Sequence, residues 1–485
     1  MMMNDARYLL VFGLVAVALL SLIVACGTET VEVPVEKVVT QEVVKEVMVP
    51  GETVVVEKEV VKTVEVPGET VVVEKEVVKT VEVPGDTVVV EKEVMVEVER
   101  DNLPPLIVGN LNAFTGSIAE FGPPLRNSVQ LAASHVNRAG GVGGGSMLVI
   151  SRDTAVNPVQ GVDAARALVD VEGAVAIVGA LSSGVTIASA QSVTIPKGVL
   201  LISGASTAPA ITTLEDDDLL FRTTPSDAAQ GAVLARLADE LGYQTVGIMY
   251  INNVYGEGLA AQFEESFAEY GGQVTAKVPH EDTQPTFASE LEKATEGNPD
   301  ALAVMSYTGQ SRVYVREALE GGYADTFLFV DGVKGSEWID EIDAWDELDG
   351  TLGTAPGSEG NPALSIFETA YEETYGFPVT HPFMAEHYDA TVLIALAAAK
   401  AGSTTDSAAI RDALRFVANA PGEVVGPGRD GISRALRLIA EGKDVNYEGA
   451  GGIVDFDENG DVFGTIEIWQ VKDGEIQSTG RFELP

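Results

Sequence analysis

Two stretches of this 485-residue chain place small hydroxyl residues and glycine directly after apolar runs, a pattern suited to holding a small anion. Val199-Leu200-Leu201 continues into Ile202-Ser203-Gly204-Ala205-Ser206-Thr207-Ala208-Pro209. This reads as a buried strand whose C-terminal end is open, with free backbone N–H groups and hydroxyls on offer. Earlier, Ala174-Val175-Ala176-Ile177-Val178 exits in the same way through Gly179-Ala180-Leu181-Ser182-Ser183-Gly184. Two parallel strands ending in hydroxyl loops imply one shared pocket.

Other chemistries find little support. No Gly-x-Ser-x-Gly elbow occurs, and the four histidines are His135, His280, His381 and His387. His381 and His387 are six residues apart, the wrong spacing for a metal pair on one helical face. Asp455-Phe456-Asp457-Glu458-Asn459-Gly460 imitates the start of a calcium loop, but its twelfth position is Ile466 rather than glutamate, so it reads as a hairpin turn. The glycine cluster 140–145 follows a helical stretch and precedes a strand, which makes it a C-cap and turn rather than a phosphate cradle. We expect no catalysis, no cofactor and no metal.

The elements that must position the two loops follow from periodicity. Strands are predicted near 106–109, 147–151, 174–178 and 199–203, with helices near 122–139, 158–170 and 185–193 between them. Such alternation implies right-handed βαβ units in a parallel sheet. Phe221-Arg222-Thr223-Thr224-Pro225-Ser226-Asp227 stops the rhythm with a turn and an N-cap. A second series follows: helices near 228–241, 257–270, 286–296 and 310–320, with strands near 245–250, 273–278, 301–306 and 326–330. It reads as a second copy of the first lobe. The composition, 46% apolar with only 6% aromatic, fits an α/β class of close-packed helices on parallel sheets. A formal charge of −44 argues against nucleic acid as a partner, since like charge repels at long range.

The N-terminal hundred residues have another character. Leu9 to Val24 is an apolar run after Arg7, and Ala25-Cys26-Gly27 supplies a small-residue cleavage site, the grammar of a signal sequence. Ile23-Val24-Ala25-Cys26 resembles a bacterial lipobox, with isoleucine where leucine is usual, and Cys26 is the only cysteine. Cys26 is therefore the expected lipidation site, residues 1–26 a lipoprotein signal peptide, and residues 27–100 a stalk. The stalk is written almost entirely in Val, Glu, Lys and Thr. Pro50-Gly51, Pro67-Gly68 and Pro84-Gly85 mark its period of 17 residues. Such text favours extended backbone punctuated by turns, cannot build a core of its own, and would reach at most roughly 250 Å as a tether. Self-association of its β-prone units is the other reading.

Several short motifs, in order, carry a family resemblance: Ala113-Phe114-Thr115-Gly116 with Gly122, Asn137-Arg138-Ala139-Gly140-Gly141, Phe221-Arg222-Thr223, Asn253-Val254-Tyr255-Gly256-Glu257-Gly258 and Asp457-Glu458-Asn459-Gly460. From residue 104 to 485 the chain resembles the leucine/isoleucine/valine-binding proteins of ABC importers, which are type I periplasmic binding proteins. The resemblance implies an α/β fold of two lobes, each a parallel sheet flanked by helices, joined by a three-segment hinge. The crossings would fall near 224, 356 and 451, giving one lobe from 104–224 and 357–450 and another from 225–356 and 451–485.

By the same resemblance, Ser183 and Thr207 donate hydroxyls to a ligand carboxylate, Ala205 contributes backbone, and Asp331 takes the ammonium. Tyr255 and Tyr307 arrive from the second lobe. Phe121 stands where family members often carry tyrosine. Taken singly, Ser183 suits a helix cap, Tyr255 interlobe packing and Asp331 a turn before Gly332. The implied protein is a lipid-anchored receptor on the outer face of the cytoplasmic membrane, capturing an amino acid or amide for ABC permease subunits. A receptor reporting to a signalling partner is the alternative.

Overall fold

The computed structural model describes residues 102–485, apart from 336, 343, 344, 359 and 360, together with the strands Val38–Val49, Thr53–Val66, Thr70–Glu82 and Lys92–Arg100. The signal-peptide and Cys26 expectations fall outside the described residues. Residues 1–101 and 102–485 form two separate compact units.

In the first unit the four strands pair antiparallel in chain order. Glu57 lies opposite both Lys45 and Lys79 in the backbone register, and Lys62 lies opposite Glu74. The units thus satisfy their backbone groups by pairing with their neighbours, which differs from the fully extended tether expected from composition. A paired strand of 14 residues spans only about 45 Å.

The second unit contains the two predicted sheets. The first runs Met147–Asp153, Leu106–Asn112, Ala176–Gly179, Leu200–Ser203 and Leu220–Arg222, all parallel. Its central strands are apolar on both faces because helices cover both sides. Helix Met384–Ala401 lies against it and is buried from Met384 to Ala398. Its apolar second half, Val392 to Ala398, suits that position, while its first half buries Glu386, His387 and Asp389. Helices Gly122–Arg138 and Ser407–Ala418 pack on it in turn.

The second sheet has five parallel strands, Gln273–His280, Thr245–Ile251, Ala301–Met305, Phe327–Phe329 and Leu352–Gly357. Two antiparallel strands, Thr465–Lys472 and Glu475–Glu483, extend it, so this sheet is parallel with an antiparallel edge hairpin. A small sheet of Glu423–Val425, Val445–Gly449 and Gly452–Ile453, absent from the sequence reading, sits beside the third connection.

Helix starts carry the side chains that their first N–H groups need. Asn157 Oδ1 accepts from Val159 N and Gln160 N at 2.9 and 3.1 Å before helix Pro158–Asp170. Asn253 Oδ1 accepts from Gly256 N at 3.0 Å before helix Val254–Glu269, and Ser226 caps Asp227–Glu240. The chain passes between the sheets three times, at 223–226, 358–361 and 450–464. The third passage is long. Its stretch 455–461 is tied to the first sheet's side by Arg222 to Asp461, Asn419 to Phe456 and Arg415 to the Asp457 carbonyl. The Asp455–Gly460 turn closes on itself, with Asn459 N and Asp461 N both donating to Asp457 Oδ1.

Candidate functional site

The site forms where the C-terminal ends of both sheets meet, as open α/β sheets favour. The loop after strand Leu200–Ser203 is shaped by its own hydroxyls. Ser203 Oγ donates to the Ala180 carbonyl at 2.8 Å and accepts from Ala205 N and Ser206 N. Ser206 Oγ reaches the same carbonyl and the Thr186 hydroxyl, the latter at 2.7 Å. Ser203 and Ser206 therefore weld this loop to its neighbour after strand Ala176–Gly179. Ser203 and Ser206 are thus spent on structure, while Thr207 lines the cavity with its hydroxyl beside Asp227.

Arg222 fixes the back of that loop. It is fully buried, donates through Nη1 to the carbonyls of Thr207 and Ala208 at 3.0 and 3.1 Å, and grips Asp461 through Nε and Nη2 at 2.6 Å each. A bidentate guanidinium–carboxylate pair has the planar geometry for this task.

The opposite wall comes from the second sheet. Asp331 follows strand Phe327–Phe329 and is 3% exposed. Its Oδ1 accepts from the Tyr255 hydroxyl at 2.7 Å and from Gln230 Nε2 at 2.8 Å. Burial pushes its carboxyl up to about 6, against the lowering effect of those two donors. Tyr255 stacks on Tyr307 with centroids 5.5 Å apart and planes 8° from parallel. A Cβ on Gly332 would lie 2.4 Å from the Ser306 carbonyl and 2.9 Å from the Tyr255 hydroxyl, so only glycine lets the chain turn this close to the aromatic pair.

The walls touch across the cleft. Tyr307 Oη and Ser182 Oγ are 3.3 Å apart, and Gly309 N donates to the Ser117 carbonyl at 2.9 Å. Ser183 Oγ accepts from Ala208 N at 3.3 Å and begins helix Ser183–Ser189. The lobes stand closed over a small cavity of about 20 Å³. Its lining includes all seven sequence-predicted residues: Phe121, Ser183, Ala205, Thr207, Tyr255, Tyr307 and Asp331.

Ile118, Leu181, Gly332 and Phe383 line it too and were not singled out from sequence. Isolated apolar residues in loops carry no periodic signal, and Phe383 reaches the cavity from a helix start far along the chain. Asp227 was read only as part of a helix start. It proves to be fully buried beside Thr207, with Asp331 and Arg222 close enough to act on its charge. Phe121 stands edge-on to His381 at 5.2 Å, and burial lowers that histidine to about 4, keeping it neutral.

One acid, hydroxyls, aromatic faces and apolar side chains converge here, a set that can bind a small polar molecule. Among the described residues there is no cluster of histidine, cysteine or carboxylate groups suited to a metal ion. No helix among the described residues is long and apolar enough to cross a membrane.

Residues 105–475 match the family described as periplasmic binding protein. The chain is 29% identical over 359 residues to the chemotactic signal transduction system substrate-binding protein BasB of Halobacterium salinarum, covering 72% of this chain and 83% of that one. It is 28% identical over 303 residues to the leucine-, isoleucine-, valine-, threonine- and alanine-binding protein of Pseudomonas aeruginosa, covering 62% and 79%. The crystal structure of a leucine-binding protein, LivK, from Thermotoga maritima superposes with a TM-score of 0.66 at 26% identity, over 78% of this chain and 99% of that one. Two helix-flanked sheets closing on one small cavity, and a match across most of the chain, place this protein in the periplasmic binding protein family, a family of binders and not of enzymes.

Proposed function

We propose that the protein is an extracytoplasmic solute receptor that closes its two lobes on a small amino acid and presents it to an ABC permease. Cys26, lipidated and left as the first residue once residues 1–25 are removed, would hold it to the outer face of the membrane, with the repeat of residues 27–100 as spacer. The observation that carries the ligand class is Asp331. It is a buried carboxylate oriented by Tyr255 and Gln230 in a cavity otherwise lined by hydroxyls, aromatic rings and aliphatic groups. Such an acid favours a ligand bearing an ammonium over a plain carboxylic acid. Ser183, Thr207 and the backbone at Ala205 would meet the polar end, and Phe121, Tyr255 and Tyr307 the rest. The amino-acid-binding names of two of the relatives above support this reading.

A second reading has its own support. One relative is named for a chemotactic signalling system, so the same closure could report ligand to a signalling partner. Neighbouring genes separate the two: permease and ATPase subunits support import, a signalling receptor supports sensing.

The ligand class is tested by thermal-shift screening of amino acids and amides against the protein and its Asp331→Ala variant. Amino-acid stabilisation that survives the substitution undiminished rules out the ammonium assignment.

A further inference from the structure

Two glycines on the second sheet's side lie in helices whose own surroundings do not call for glycine. Gly258 sits in helix Val254–Glu269 and Gly309 in the first turn of helix Thr308–Gly321, and neither has a positive φ. Glycine is among the poorest helix formers, because it has the most backbone freedom to lose. Gly256 and Gly332 differ from this pair: a Cβ on either would run into a carbonyl of its own side, that of Ile251 or of Ser306.

The reason for Gly258 and Gly309 stands across the cleft. A Cβ on Gly309 would lie 2.8 Å from the Ser117 carbonyl oxygen and 3.1 Å from Ser117 Cα, and a Cβ on Gly258 would lie 3.0 Å from Pro209 Cδ. In each case the three nearest atoms belong to that one residue, and Ser117 and Pro209 both follow strands of the first sheet. At Gly309 the obstacle is backbone, which has no rotamer to move aside. Gly309 N is also one of the first-turn donors that a helix cannot satisfy by itself, and it donates to the Ser117 carbonyl at 2.9 Å. Two residues earlier, Tyr307 brings its hydroxyl within 3.3 Å of Ser182 Oγ. The two sides thus meet where side chains are missing.

We propose that Gly258 and Gly309 are positioning residues of lobe closure: their bare Cα atoms set how near the lobes come, and a side chain at either holds the lobes apart. Neither residue lines the cavity. An alanine at 309 suits the helix better than glycine does, yet works against the closed form alone. A ligand held between closed lobes then binds more weakly, in proportion to the closed population that is lost. The inference rests on the amino-acid reading above for its probe, and goes beyond it in assigning the closing distance to residues outside the cavity.

The test is titration calorimetry of the full chain with leucine, joined to urea unfolding of the ligand-free protein and to hydrogen exchange at residue 309. Gly309→Ala should weaken leucine binding by about tenfold or more, as overpacking of a tight contact does. The urea midpoint of the ligand-free variant should be unchanged or higher. With saturating leucine, the amide of residue 309 should be protected from exchange in the native protein and less so in the variant. Gly258→Ala should weaken binding less, and its effect should shrink in a Pro209→Ala background, which lacks the Cδ in the way. Native-like leucine affinity in Gly309→Ala overturns the role of Gly309. An effect of Gly258→Ala that is equal in both backgrounds overturns that of Gly258. A lowered urea midpoint for ligand-free Gly309→Ala also overturns the inference, since the glycine would then serve its own lobe. If the native protein binds neither leucine nor any other amino acid, the amino-acid reading fails and this inference with it.

Discussion

Arg222 holds Asp461 with two N–H···O contacts of 2.6 Å, and its remaining nitrogen carries the carbonyls of Thr207 and Ala208. One buried guanidinium therefore joins the end of the first sheet, the cavity-lining loop and the third passage between the lobes. Removing one partner of a buried pair strands the other. Arg222→Ala is expected to destabilise the protein by about 3–5 kcal/mol, read as a shift of the urea midpoint. Arg222→Lys should recover little, because an ammonium cannot make the bidentate contact.

Tyr255 serves Asp331 from the other wall. Its hydroxyl donates to Oδ1 at 2.7 Å and accepts from Gly332 N at 3.2 Å. Tyr255→Phe keeps the stack on Tyr307 but leaves the carboxylate short of a donor. Affinity for an ammonium ligand should fall about tenfold by calorimetry, the cost of one hydrogen bond to a charged group. Because that donor also favours the charged form, the loss should grow as pH falls toward 6.

Glu386, on the central helix, is pushed up to about 8 by burial, from an ordinary value of 4.5. Between those two values the unfolded state gives up its proton and the folded state keeps it. Stability from this group is therefore full below about pH 4.5 and is lost as pH rises toward 8. Glu386→Gln, which cannot ionise, should match the native protein near pH 4.5 and exceed it at pH 8 by about 4 kcal/mol, measured by denaturant unfolding at the two pH values. Equal stability at pH 8 would rule this out.

Asp389, one turn later, holds the third passage. Its carboxylate accepts from the Tyr447 hydroxyl at 2.8 Å and from Ala450 N and Gly451 N at 2.9 and 2.7 Å. A Cβ on Gly449 would sit 2.3 Å from its Oδ2, which explains the glycine there. Asp389→Ala leaves three buried donors unpaired and should cost about 3 kcal/mol or more in urea unfolding. Hydrogen exchange at Ala450 and Gly451 should rise with it.

Much of the architecture was legible from local pattern. Apolar runs of strand length alternating with helical periodicity identify the two series of βαβ units, and the Ser226-Asp227 N-cap marks a helix start where the structure has one. Asp331 and Thr207 stand at strand ends, the one place in such a sheet where side chains are free to meet a ligand. The edge hairpin of residues 465–483 and the small sheet near 445 were not legible. Their strands are antiparallel or only two to five residues long, and the βαβ rhythm says nothing of them.

The sequence by itself determined which loops would border the cavity, because periodicity fixes strand ends and composition fixes what those ends offer. It did not determine which hydroxyls would turn inward. Ser203, Ser206 and Thr207 are alike in chemistry. Only the approach of the Ala180 carbonyl takes up the first two, while the third lies beside Asp227 in a residue that lines the cavity. Nor does any local pattern set Asp227 against Asp331. Burial of both, and the hydrogen bond from Gln230 one turn further along the helix to Asp331, arise because the fold brings a helix start and a strand end a hundred residues away together on the second sheet.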